Sequence, residues 1–87
     1  MTNEIIIEIV SNETLKNIRK SVYAVILPTN NGERLILNNH RNSIYELIDG
    51  DIKILKNNKD ILEKIHISSA IVNVEKNLIF ILTNKFN

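Results

Sequence analysis

Ile5, Ile7 and Ile9 occupy alternate positions at the head of the chain, with Glu4 and Glu8 sharing the intervening positions with Ile6. A period of two puts the three isoleucines on one side of an extended segment, which is the pattern of a strand with one buried face. Short aliphatic runs of the same kind recur at Leu35–Leu37, Asp51–Leu55, Ile61–Ile67, Ala70–Val74 and Leu78–Thr83. Turn-forming residues separate them, among them Asn31-Gly32, Asp49-Gly50, Asn57-Asn58 and Glu75-Lys76-Asn77. Turn signals at spacings of about 8–12 residues indicate a β-sandwich or barrel. Isoleucine, stiff at χ1 and suited to a pleated surface, reinforces the strand reading. The expectation is an all-β fold of about 8–10 short, mainly antiparallel strands, in one domain over residues 1–87.

Particular segments carry particular expectations. Ser11 to Thr14 reads as a turn, followed over residues 11–20 by either a short helix with Leu15 and Ile18 on one side or, preferred, a second short strand. Val22 to Leu27 is apolar at every position and reads as one strand buried on both faces or covered by a partner, closed by Pro28. Asn31-Gly32 is the pair favoured in tight hairpins, with the return strand beginning at Leu35. Residues 44–48 suit a strand or one helical turn. Ser68-Ser69 marks a corner between two strands.

Composition excludes several functions. Eleven basic and ten acidic residues give a net charge of +1, and they are dispersed, so no basic stripe or aromatic platform suits nucleic acid. No cysteine is present to form a disulfide, a thiolate nucleophile or a zinc–thiolate site. The opening residues Met1 to Glu4 lack the positive segment of a signal peptide, and no apolar run nears the ~20 residues that span a bilayer. A soluble cytoplasmic protein without direct membrane insertion is expected.

The chemistry-bearing residues do not assemble into a recognisable centre. His40 reads as a loop residue, and His66, between Ile65 and Ile67, as an outward strand residue; neither has metal-ligand spacing to a carboxylate. Glu46, Asp49 and Asp51 surround Gly50 without the spacing of a calcium loop. Only two glycines occur, and no phosphate-binding motif. Lys56 and Lys59 flank Asn57-Asn58 without the acidic neighbour of a lipoyl carrier. No catalytic, cofactor or metal residue is assigned, and no cofactor is expected.

Val25-Ile26-Leu27-Pro28-Thr29-Asn30-Asn31-Gly32-Glu33 resembles the pattern V-x-L-P-[TG]-x-x-G-E of the epsilon subunit of F-type rotary ATP synthases. Leu47-x-x-Gly50-x-Ile52-x-Ile54 is similar to that family's L-x-x-G-x-[IL]-x-[IV], and Ile7 to Ser11 to its opening strand. Departures fall at Leu35, Asn38-Asn39, Arg41-Asn42 and Ser69-Ala70, where the family has Gly, Pro-Gly, Ala-Pro and Gly-Gly.

The resemblance implies a flattened sandwich in the central stalk, bound to the gamma subunit, near the c-ring, and in complex with the alpha and beta catalytic subunits. It implies gamma-facing positions at Ser11, His40 and Ile44. The hairpin Asn30, Asn31, Gly32, Glu33 and Arg34 would face the c-ring. The family often adds a C-terminal helical pair that can bind ATP; a chain stopping at Asn87 is expected to lack that pair and to bind no nucleotide. The work would be mechanical, at the inner face of the cell membrane. The altered loop Asn38 to Asn42 also suits an equivalent subunit of a specialised F-type-like ATPase, such as a motility motor, without a c-ring. A free-standing β-sandwich binding module is the third reading.

Overall fold

The computed structural model describes residues 4–13 and 17–86. Eight strands are present: β1 (Ile5–Ser11), β2 (Asn17–Val22), β3 (Ala24–Thr29), β4 (Gly32–Ile36), β5 (Ser43–Leu47), β6 (Gly50–Leu55), β7 (Ile61–Glu75) and β8 (Leu78–Phe86). The alternation read at Ile5, Ile7 and Ile9 appears directly, as these three are at most 1% exposed while Ile6, Glu8 and Val10 are half-buried. Residues 44–47 resolve as strand, with Ile48 just past its end, and Asn17 onward as the second strand; residues 14–16, within the possible helix, lie outside the described residues.

One layer runs β2-β1-β8-β7-β5, and the other is built from β4, β3, β6 and the first half of β7. The long strand β7 joins them: Ile61–Ile67 pairs with β6, and Ala70–Val74 pairs with β5 on one side and β8 on the other. β-branched and leucine side chains from both layers, including Ile7, Ile9, Leu27, Ile36, Ile52, Ile65, Val72 and Ile81, fill the space between. All pairings are antiparallel except that of β1 with β8, which is parallel.

Four sequence expectations are corrected. The apolar run Val22 to Leu27 is not one strand, because the chain leaves β2 at Val22, bends at Tyr23 and enters β3 in the other layer. Ala24 and Val25 are both fully buried because they stand where the chain passes between layers, so consecutive burial marks a crossover rather than a two-faced strand. Pro28 does not end β3. The ladder to β6 covers only Ala24–Ile26, so Pro28 lies past its end, where a missing N–H interrupts nothing; its carbonyl accepts from Ile48 N at 2.9 Å.

The hairpin turn is formed by Asn30-Asn31 with Thr29 opposite Gly32, and the return strand starts at Gly32 rather than Leu35. Within it only Gly32 has a positive φ, 103°, so neither asparagine pays for left-handed backbone and the closing glycine absorbs the twist. Finally, Ser68-Ser69 is a bend within a continuous strand. Ser69 takes φ 26°, and the β7–β8 register is the same on both sides of it.

That bend is held by three side chains. The Asp49 carboxylate accepts from Ser69 N at 2.8 Å and from Ser69 Oγ at 3.1 Å. The Thr83 hydroxyl, 1% exposed, donates toward the carbonyls of Ser68 and Ser69. The Ser11 hydroxyl donates to Asn84 O at 2.7 Å, tying the end of β1 to the same corner. Opposite the bend, Gly50 opens β6; a Cβ there would lie 3.2 Å from Pro28 Cβ, which explains glycine in Leu47-x-x-Gly50.

Candidate functional site

The two outer faces of the sandwich differ in chemistry. On the β3–β4–β6 side, Lys53 Nζ pairs with Glu33 Oε2 at 2.6 Å and His66 Nδ1 with Asp51 Oδ1 at 2.9 Å, with Lys64 exposed beside them. His66 is outward, as the alternation predicts. On the β5–β7–β8–β1 side, Glu46, Ile71, Leu82 and Val10 stand opposite one another in successive strands, and Ile44, Asn73, Phe80 and Glu8 form the next row. Ile44 is 73% exposed, Ile71 57% and Leu82 42%. Arg19 Nη1 lies 3.0 Å from Glu8 Oε1, so that carboxylate is compensated. The first face thus carries more ion pairs and the second more exposed aliphatic side chains, although Leu35, 48% exposed, shares the row of Lys53 on the first; a contiguous aliphatic patch is a surface suited to a partner.

Beside β5, on the side of the strand opposite Ile44, stands a small aromatic and basic cluster. His40 Nε2 is 2.9 Å from the Tyr45 hydroxyl, and the Arg34 guanidinium carbon lies 5.0 Å from the Tyr45 ring centre. Cation–π contact and hydrogen bond together hold the loop before β5 and the strand β4 against one ring. Burial, and then the positive charges of Arg34 and Arg41, hold the His40 pKa below its usual value.

The candidate residues divide accordingly. Ile44 lies on the aliphatic face, whereas His40 bonds Tyr45, whose ring is on the other, core-facing side of β5. Ser11 is 1% exposed with its hydroxyl on Asn84 O, and its neighbour Val10 is the one turned to the outer face. Asn30, Asn31, Gly32, Glu33 and Arg34 are all exposed at the hairpin; Thr29 Oγ1 stiffens it by donating to Gly32 O at 2.6 Å. Glu33 is tied to Lys53 within the chain.

Sequence reasoning missed Ile71 and Leu82. Their signal was an aliphatic residue on the wrong phase: Ile71 alternates with the inward Ala70 and Val72, and Leu82 with Ile81 and Thr83. Glu46, read only as part of a turn cluster around Gly50, belongs instead to the outer row of β5. Asp49 and Asp51 point to different partners, Ser69 and His66. Among the described residues, no group of three or more histidine and carboxylate side chains could hold a metal ion, and no helix is long and apolar enough to cross a membrane.

The fold has solved counterparts. It is similar to a chain of the Euglena gracilis mitochondrial ATP synthase, described as OSCP/F1/c-ring in rotational state 1, with a TM-score of 0.85 and 20% identity, covering 100% of this chain and 54% of that one. It is also similar to a chain of the Tetrahymena thermophila mitochondrial ATP synthase central stalk and c-ring, with a TM-score of 0.72 and 20% identity, covering 99% of this chain and 69% of that one. The protein therefore spans about half the length of the first and about two thirds of the second. No curated protein sequence matches it significantly. Residues 4–87 match the β-sandwich domain of the ATP synthase delta/epsilon chain, and the protein belongs to that family.

Proposed function

We propose that residues 1–87 form a single domain acting as a non-catalytic central-stalk subunit of an F-type rotary ATPase. In this reading it docks on the gamma subunit, joins the alpha and beta subunits in one complex, and passes torque toward the c-ring at the inner face of the cell membrane. The observation that carries the reading is the group of exposed aliphatic side chains Ile44, Ile71 and Leu82 on β5, β7 and β8 in a chain of this family. Covering an exposed isoleucine or leucine contributes on the order of 1–2 kcal/mol, so a few such residues give a partner surface useful strength. A sandwich also suits a mechanical role, because interdigitated side chains resist deformation. Ile44 lies on the proposed gamma-facing surface, with His40 supporting β5 from its other side through Tyr45 and Ser11 holding the corner.

A second reading keeps the stalk role but removes the c-ring, as in a specialised motor. It is supported by Glu33, the hairpin residue assigned toward the ring, whose carboxylate is already engaged by Lys53. Affinity isolation of the native complex tests both. Recovery of gamma-like and catalytic subunits with c-ring protein supports the first reading, and their recovery without it supports the second. A stable monomer with no ATPase partner would replace both with a free-standing binding module.

A further inference from the structure

A cleft of 620 Å³ runs along the outer face between the β3–β4 hairpin and β5, β7 and β8. A second groove of 250 Å³ lies beside it, with Asn30 and Glu46 lining both. Ile48, Ile71 and Leu82, each 42–57% exposed, line the larger groove. Its lining includes two carboxylates, Glu46 and Asp49, and no lysine, arginine or histidine. The donors that reach Asp49 are the neutral amide and hydroxyl of Ser69, which leave its charge in place. Glu46 forms no ion pair among the described residues. Arg34 lines only the smaller groove, where its guanidinium lies over the Tyr45 ring and keeps its positive charge.

The larger groove is thus aliphatic and negative, with Arg34 confined to the lining of its neighbour. A floor made by the surface of a sheet suits an extended or helical segment better than a small molecule, which seeks an enclosed pocket. Building on the stalk reading, we infer that this groove receives a segment of the gamma-type subunit that presents aliphatic side chains beside a lysine or arginine, and that Glu46 selects it by pairing with that cation. Glu46 is exposed in the free chain and becomes enclosed by Ile71 and Ile44 once the segment is seated, where a charge pair discriminates partners strongly.

The test uses the full chain and, as probe, the purified gamma-type subunit encoded by the same genome, with affinity measured at low and high salt. Glu46→Lys should bind at least about tenfold more weakly than wild type at low salt, with Glu46→Gln between them. The gap should narrow as salt screens the groove. Ile71→Ser should also weaken binding, but equally at both salt concentrations. Unchanged affinity of Glu46→Lys beside a weakened Ile71→Ser overturns the charge selection and leaves the docking reading standing. Unchanged affinity of both variants places docking elsewhere and overturns the groove. No binding by the wild type overturns the inference together with the stalk reading. Self-association of the chain that Ile71→Ser disperses would make a second copy the occupant, which also overturns it.

Discussion

Replacing Thr83 by valine keeps the shape of the side chain and removes one hydroxyl from the corner where β7 changes partners. Thr83 is 1% exposed, and its hydroxyl is aimed at the carbonyls of Ser68 and Ser69, on either side of the backbone twist at φ 26°. Valine deletes the donor and leaves those acceptors facing a methyl group. Leaving a buried acceptor unsatisfied costs about 1–3 kcal/mol, and the added methyl returns part of that, so a net loss of about 1–2 kcal/mol is expected. For a domain of this size, 1 kcal/mol corresponds to roughly 5 °C in Tm, so a fall of about 5–10 °C is expected. Urea unfolding followed by far-UV circular dichroism should show a lower midpoint with an unchanged slope, because the surface exposed on unfolding is the same. A midpoint within experimental error of wild type would refute the claim that this hydroxyl holds the corner.

Other outcomes follow from the same contacts. Gly50→Ala puts a Cβ 3.2 Å from Pro28 Cβ and should destabilise the fold by about 1 kcal/mol in thermal melts, and Pro28→Ala in the same chain, which keeps that Cβ, should not restore it. The folded-state pKa of His40 is held below the usual 6.5, so the unfolded chain takes up the proton first; its contribution is complete above pH 6.5 and falls away as the pH drops toward the folded pKa. Wild type should therefore lose more stability than His40→Gln between about pH 7.5 and 5.5, read by urea midpoints at each pH. Lys20 Nζ lies 2.6 Å from Glu63 Oε1 and links the edges of the two layers, yet both side chains are about one-third exposed. Lys20→Ala should cost no more than about 1 kcal/mol, less in high salt.

Much of the architecture was legible because one-sided strands write their burial into alternation. Ile5, Ile7 and Ile9 could be read without any knowledge of their neighbours, and so could Ala70, Val72 and Val74. What was illegible depends on contacts distant in sequence. The crossing at Tyr23 looks like continuous strand because both layers bury the residues beside it. Pro28 looks like a stop unless the limit of the β6 ladder is known. The continuity of β7 through Ser68-Ser69 depends on Asp49 and Thr83, 20 and 14 residues from Ser69.

The candidate surface divides in the same way. The hairpin Asn30–Arg34 announces itself by turn chemistry. Ile44 is reached only through the family resemblance, and its neighbours Ile71 and Leu82 join it only through the β5–β7–β8 register. Whether Glu33 is free or tied to Lys53 cannot be read locally, because the two lie 20 residues apart.

The parallel pairing of β1 with β8 has a consequence for how the molecule comes into being. β1 can find β2 as soon as both have left the ribosome, but its second edge is completed only by residues 78–83. Until those residues emerge, a strand carrying Ile5, Ile7 and Ile9 presents an unsatisfied row of amides and carbonyls to its surroundings. Synthesis therefore passes through an interval in which the nascent domain is sticky and cannot close, and β8 is the segment that seals β1.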